Sequence, residues 1–134
     1  MSQEGKKFDN EKVPMDLLSP IALEQIAKVM AFGAKKYDRH NWRAGIAWSR
    51  IIAASLRHIF SFLKGEDKDP ETGLSHIAHA ACCLMFLLTY EDDRKEFDDR
   101  YKDEAKEACG HKYVYPVAKY DGTCLDCKEE VKLS

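Results

Sequence analysis

Residues 74–90 read Leu-Ser-His-Ile-Ala-His-Ala-Ala-Cys-Cys-Leu-Met-Phe-Leu-Leu-Thr-Tyr. Apolar side chains fall on nearly every side of a helical period, which predicts a helix buried all round and placed at the centre of the molecule. The longest apolar run in it, Ala80 to Leu88, is well short of the roughly 18 residues that a membrane-spanning helix needs. Working outward, Gly65-Glu-Asp-Lys-Asp-Pro-Glu-Thr-Gly73 is a sharp acidic loop with turn residues at both ends. Before it, Trp48 to Lys64 predicts a second helix with Ile51, Ile52, Ser55, Ile59 and Phe62 on one face. Ser19-Pro20 has the form of an N-cap followed by proline in the first turn, so a first helix is expected over Pro20–Lys36. Gly33 inside it costs about 1 kcal/mol relative to alanine, and a glycine there is expected to let something approach closely.

Nothing alternates as βα units, and neither common Gly-rich phosphate loop is present. The expected fold is therefore all-α over residues 1–108. A charged stretch, Glu91 to Glu107, is expected to continue as a solvated helix, with Asp98 and Lys102 at helical spacing. After Ala108 the composition changes, and residues 109–134 suggest a small β-rich appendage. Cys109 and His111 with Cys124 and Cys127 offer four soft ligands in two close pairs, the pattern of a closed zinc-ribbon-like Zn²⁺ site. Such a site is structural, and zinc would supply much of the folding free energy of so small a lobe.

With 134 residues and 45% hydrophobic content the chain can bury a core. Lysine and arginine number 21 against 23 acidic residues, a formal charge of −2, which argues against a general nucleic-acid binder. The polar start, the cysteine arrangement and the short apolar runs point to a cytoplasmic protein without a membrane anchor.

Three groupings carry chemistry. His76-x-x-His79 puts two imidazoles on one helix side, able to share a transition metal or to rest as core histidines. Glu66, Asp67, Asp69 and Glu71 form an acidic loop between the helix of His58 and the helix of His76 and His79. Carboxylates of that kind suit Mg²⁺ or Mn²⁺, unless the loop is merely solvated and caps the next helix. Lys35, Lys36, Arg39, Arg43, Arg50 and Arg57, interleaved with Tyr37, His40, Asn41, Trp42 and Trp48, form an inventory for phosphates and a stacked base. Taken singly, each of these is as readily a surface residue or an anchor of the loop.

The run Lys7-Phe8-Asp9, Lys12, then Leu18-x-Pro20-x-Ala22-Leu23-Glu24, Phe32-Gly33-Ala34-x-Lys36-Tyr37, Asn41-Trp42, Arg57-His58 and Gly65-Glu66-x-x-Asp69-x-Glu71-Thr72-Gly73-x-x-His76-x-x-His79-Ala80 resembles the phage-type dATP/dGTP diphosphohydrolase family. That family is similar to the MazG-like all-α nucleoside triphosphate pyrophosphohydrolases. The resemblance implies a MazG-like helical core and a divalent cation. It also implies release of pyrophosphate from dGTP or dATP to leave the monophosphate, in the host cytoplasm if the protein is phage-encoded. By the same analogy a homodimer or tetramer is expected. One departure matters. The wider group holds Mg²⁺ with Glu-x-x-Glu and Glu-x-x-Asp on successive helices, whereas this chain has Ser55-x-x-His58 and His76-x-x-His79 with its carboxylates in the loop. The expected cation ligands are thus Glu66, Asp69 and Glu71 with His58, His76 and His79, taking Mg²⁺, Mn²⁺ or Co²⁺. Lys12, Lys35, Lys36 and Arg57 are expected at the phosphates, and Tyr37, Asn41 and Trp42 at the base and sugar. The rival readings are a His-Asp-type phosphohydrolase, for which no adjacent His-Asp pair exists, and a non-enzymatic binding module carrying the zinc lobe.

Overall fold

A computed structural model of the chain describes residues 2–103. The expected zinc appendage, its ligands Cys109, His111, Cys124 and Cys127, and the boundary at 108 lie outside these residues. The chain divides into two units, Met1–Asp98 and Asp99–Ser134. Of the second, residues 99–103 are described, and they form no helix or strand.

The first unit is all-α. Helix α1 spans Pro20–Lys36, α2 spans Trp48–Leu63 and α3 spans His76–Asp93. Short 3-10 turns lie at Met15–Leu17, Asn41–Ala44 and Lys95–Phe97. The start of α1 is as expected, with the Ser19 hydroxyl accepting from the Ala22 N–H at 3.2 Å. Lys35 and Lys36 in its last turn oppose the negative end of the helix dipole. Helix α2 stops in a Schellman arrangement: Glu66 N–H reaches the Ser61 carbonyl at 3.1 Å and Gly65 N–H reaches Phe62 at 2.9 Å. Gly65 makes this possible with φ of +100°. Ser75 caps α3, its side chain accepting from Ile77 and Ala78 N–H.

Helix α3 packs along α2 and, over a shorter stretch, against α1. Trp42, Trp48, Ile51 and Tyr90 form one buried cluster, and Val29, Ala78 and Cys82 form another, with Met30 and Phe86 touching both. Tyr90 is fully buried at 0% exposure, and its hydroxyl donates to the Trp42 carbonyl at 2.5 Å. That bond ties the Asn41–Ala44 turn to the central helix.

Two expectations change. Helix α3 is central but not covered all round: Ile77, Leu84 and Leu88 stand exposed along one side. Leu56, Phe60 and Leu63 do the same on α2 at spacings of one and two turns. The charged stretch after Glu91 also does not continue as a helix to Glu107, because α3 ends at Asp93. The competing contacts are visible. The Arg94 guanidinium donates to the Arg43 carbonyl at 3.0 Å, and Trp48 Nε1–H donates to the Arg94 carbonyl at 3.2 Å. Phe97 then folds back onto Gly45, occupying the space where a β-carbon would sit. A straight continuation of α3 would carry Phe97 away from the core cluster it joins.

Gly45 has φ of +105° as well as this close neighbour. Gly45→Ala should lose about 2 kcal/mol or more, from left-handed strain plus overpacking against Phe97. Urea unfolding checks this: the midpoint should fall with the slope unchanged. A midpoint equal to that of the unsubstituted protein would contradict it.

Candidate cation site and cleft

The α2–α3 connection is folded tightly on itself. Asp69 N–H donates to the Leu74 carbonyl at 2.8 Å, Gly73 N–H to the Asp69 carbonyl at 2.7 Å, and His76 N–H to the Asp67 carbonyl at 3.0 Å. The Asp69 carboxylate accepts from Glu71 N–H at 2.8 Å, an Asx-type turn that fixes its direction. This turns the other oxygen, Oδ2, toward His79 Nε2 at 3.6 Å. The ring of His58 comes across from α2 and stacks on that of His79, with centroids 4.5 Å apart and planes inclined by 8°. His58, Asp69 and His79 thereby each offer one ligand atom, all within 4.8 Å of one another.

The electrostatics favour a cation. Burial is the largest influence on both His58 and His79 and pushes both pKas below the ordinary imidazole value, with the neighbouring imidazoles adding to it and Asp69 opposing it. Both rings are therefore neutral near pH 7, the form that ligates metal. Two imidazoles and one carboxylate suit Mn²⁺ or Co²⁺ better than an all-oxygen set would. The donor set thus fits a divalent cation.

Of the six expected ligands, three converge. His76 and Glu66 lie one layer behind. His76, 4% exposed, has Nε2 against Glu66 Oε1 at 2.6 Å and Nδ1 against His58 Nδ1 at 2.9 Å, so both its ring nitrogens are engaged. Glu71 is exposed and pairs with Lys36 at 3.3 Å. That hydrogen bond is the chief cause of a raised Lys36 pKa. The Thr72 hydroxyl was not singled out as a site residue, yet it meets His79 Nε2 at 2.7 Å. Leu74 N–H donates to the same oxygen at 3.2 Å, whose second lone pair is free to accept from the imidazole. Ser55 is buried and does not line the cleft.

The three converging residues lie on the wall of a cleft of about 760 Å³ between α1, the Asn41–Ala44 turn, α2 and α3. That volume is ample for a nucleotide-sized ligand. Lys36, Tyr37, Asn41, Trp42 and Arg57 line it, together with Arg39 and Arg50. Lys35 and Lys12 do not line it. Arg39, Arg50 and Arg57 form no ion pair among the described residues. Gly33 also lines the cleft, and a β-carbon there would meet nothing within 4 Å, so the expected close approach is not found among the described residues. Trp42 is a wall rather than a platform. Phe86 stacks on it at 4.6 Å and the Arg43 guanidinium sits 4.5 Å over it. Tyr37 remains open to solvent. Cys82, also in the lining, had no signal in the sequence beyond its apolar helix. Burial pushes its thiol up to about 12, which keeps it protonated and a poor nucleophile at neutral pH.

The fold and site define a helical protein with a cation-lined, nucleotide-sized cleft and a two-histidine, one-carboxylate cluster. The chain belongs to the family described as dATP/dGTP diphosphohydrolase, N-terminal, which matches residues 2–100. It is 44% identical over 96 residues to a dATP/dGTP diphosphohydrolase of Salmonella phage PMBT28, a match covering 72% of this chain and 33% of that protein. The chain thus corresponds to about a third of the length of that relative. No solved structure matches it. No helix among the described residues is long and apolar enough to cross a membrane.

The lowered pKas of His58 and His79 have a thermodynamic consequence. The unfolded chain protonates these imidazoles near pH ~6.5, whereas the folded protein resists until lower pH. Their contribution to stability is complete above that value and is lost as pH falls through it toward the folded pKas. The urea midpoint of metal-free protein should drop as the pH is lowered from about 7.5 to about 5.5, and drop less in His58→Gln. An identical pH profile in the variant would contradict the assignment.

Proposed function

We propose that the chain hydrolyses purine deoxynucleoside triphosphates, dGTP and dATP, to the monophosphate and pyrophosphate. Water attacks the α-phosphorus, and the bond to the bridging oxygen breaks as pyrophosphate leaves. The observation that carries this reading is the convergence of His58, Asp69 and His79 on the wall of a cleft lined by Arg39, Arg50 and Arg57, which form no ion pair among the described residues. Family membership supports the substrate class.

His58, Asp69 and His79 hold a divalent cation, Mg²⁺, Mn²⁺ or Co²⁺. When bound, it supplies charge neutralisation at the phosphates and makes water more acidic. The remaining work belongs to the chain. Arg57, on the same helix as His58, with Arg39, Arg50 and Lys36, neutralises the triphosphate. Lys36 leaves Glu71 to do so, exchanging an exposed ion pair of small worth for a phosphate. Tyr37 stacks on the base, and Asn41 pairs with a purine edge. For residues 109–134 the reading is a closed Zn²⁺ site of Cys109, His111, Cys124 and Cys127, supported by their spacing alone.

Ion-exchange analysis of dGTP incubated with the protein and Mn²⁺ should give dGMP and pyrophosphate in equal amounts. Asp69→Asn should lower kcat/KM roughly a thousandfold, equivalent to about 4 kcal/mol. Appearance of dGDP or intact tripolyphosphate, or an undiminished rate in the variant, would contradict the proposal.

The exposed rows Leu56, Phe60, Leu63 and Ile77, Leu84, Leu88 support a second reading, that the chain works as a homodimer or tetramer. Light scattering should give a multiple of the chain mass, and Leu84→Glu with Leu88→Glu should return it to the monomer. A monomeric mass for the unsubstituted protein would refute this.

A further inference from the structure

Behind the three converging residues runs a hydrogen-bonded line of acid groups and imidazoles. Glu66 Oε1 lies 2.6 Å from His76 Nε2, and His76 Nδ1 lies 2.9 Å from His58 Nδ1. His76 is buried at the first turn of α3, and Glu66 is placed by the turn that ends α2. A carboxylate accepts hydrogen bonds and donates none. For that contact to be a hydrogen bond, Nε2 of His76 carries a proton. Nδ1 of His76 and Nδ1 of His58 face each other, and one of the two donates. With Nδ1 of His76 as the acceptor, His58 is protonated on Nδ1 and keeps its lone pair on Nε2, the nitrogen its neighbour does not use.

We infer that Glu66 and His76 are positioning residues that act through His58, setting its tautomer so that Nε2 presents a lone pair to the cation. This rests on the reading of His58, Asp69 and His79 as the cation site. The expected ligand role of Glu66 and His76 is thereby replaced by one at second remove. The carboxylate at the end of this line also makes His58 a stronger ligand, because electron density pushed onto one ring nitrogen raises the basicity of the other. The geometry explains why a histidine 4% exposed is tolerated in the helix start: each ring nitrogen has a partner. It also explains why Glu66 must sit immediately beyond Gly65, since the Schellman turn aims its side chain back over α3.

The test uses the full chain and Glu66→Gln. Glu66 is half exposed, so its amide isostere does not threaten the core. Two readouts are needed. Long-range ¹H–¹⁵N spectra of the metal-free, ¹⁵N-labelled protein report which nitrogen of His58 carries the proton. Mn²⁺ titration followed by EPR of the free ion reports affinity, and Mn²⁺ avoids the thiols of the tail because it prefers oxygen and nitrogen. The unsubstituted protein should show His58 protonated on Nδ1. Glu66→Gln should shift His58 toward the other tautomer or a mixture and weaken Mn²⁺ binding about 10- to 100-fold. Glu66→Asp, which keeps the charge, should recover part of the loss. The inference is overturned if His58 carries its proton on Nε2 in the unsubstituted protein. It is also overturned if Glu66→Gln leaves both the tautomer and the Mn²⁺ affinity unchanged. Failure of the unsubstituted protein to bind Mn²⁺ would instead remove the cation reading, and the tautomer spectra would still decide whether the line from Glu66 to His58 exists.

Discussion

The connection between α2 and α3 has to reverse the chain and also deliver a carboxylate to the level where two imidazoles meet. Its own backbone satisfies both demands, through the bonds from Asp69 N–H to Leu74 and from His76 N–H to Asp67. At 1.5 Å per residue, His58 lies about 7.5 Å before the end of α2 and His79 about 4.5 Å beyond the start of α3. An antiparallel pair with a tight return places such positions nearly side by side, and the two rings stack. A longer or looser connection would leave Asp69 in solvent and the imidazoles without a charge partner. The cluster is thus a consequence of how the chain turns, more than of either helix alone.

Elements governed by local chemistry were legible from the residues. Ser19-Pro20 starts α1 where a side-chain cap and a missing N–H predict it, and Gly65 ends α2 for conformational reasons. The end of α3 was not legible, because charge spacing after Glu91 favours a helix while Phe97 and Arg94 have distant partners at Gly45 and Arg43. Spacing also could not rank the histidines. His76 and His79 share a helix side, which suggested a joint site, yet the ring that stacks on His79 comes from α2. His76 spends both its nitrogens on Glu66 and His58, a fact fixed by the depth at which two helices cross.

The aromatic and basic loop after α1 divides its labour in a way composition alone does not reveal. Trp42 is drawn into the core by Phe86 and by the hydroxyl of Tyr90 on its carbonyl. Once it is anchored, Tyr37, Asn41 and Arg39 line the cleft. Arg50 and Arg57 are two turns apart on α2 and line the same cleft as His58. Positive side chains and a candidate cation site thus share one cavity, in a chain whose formal charge is −2.

The central claim is that His58, Asp69 and His79 share one divalent cation. Anomalous diffraction from crystals of the full chain grown with Mn²⁺, collected on both sides of the manganese edge, tests it most directly. The account predicts a manganese peak within bonding distance of all three side chains, with Glu66 and His76 uncoordinated behind them. A peak on Glu66 or His76 instead, or protein crystals with no manganese near α2 and α3, would contradict it.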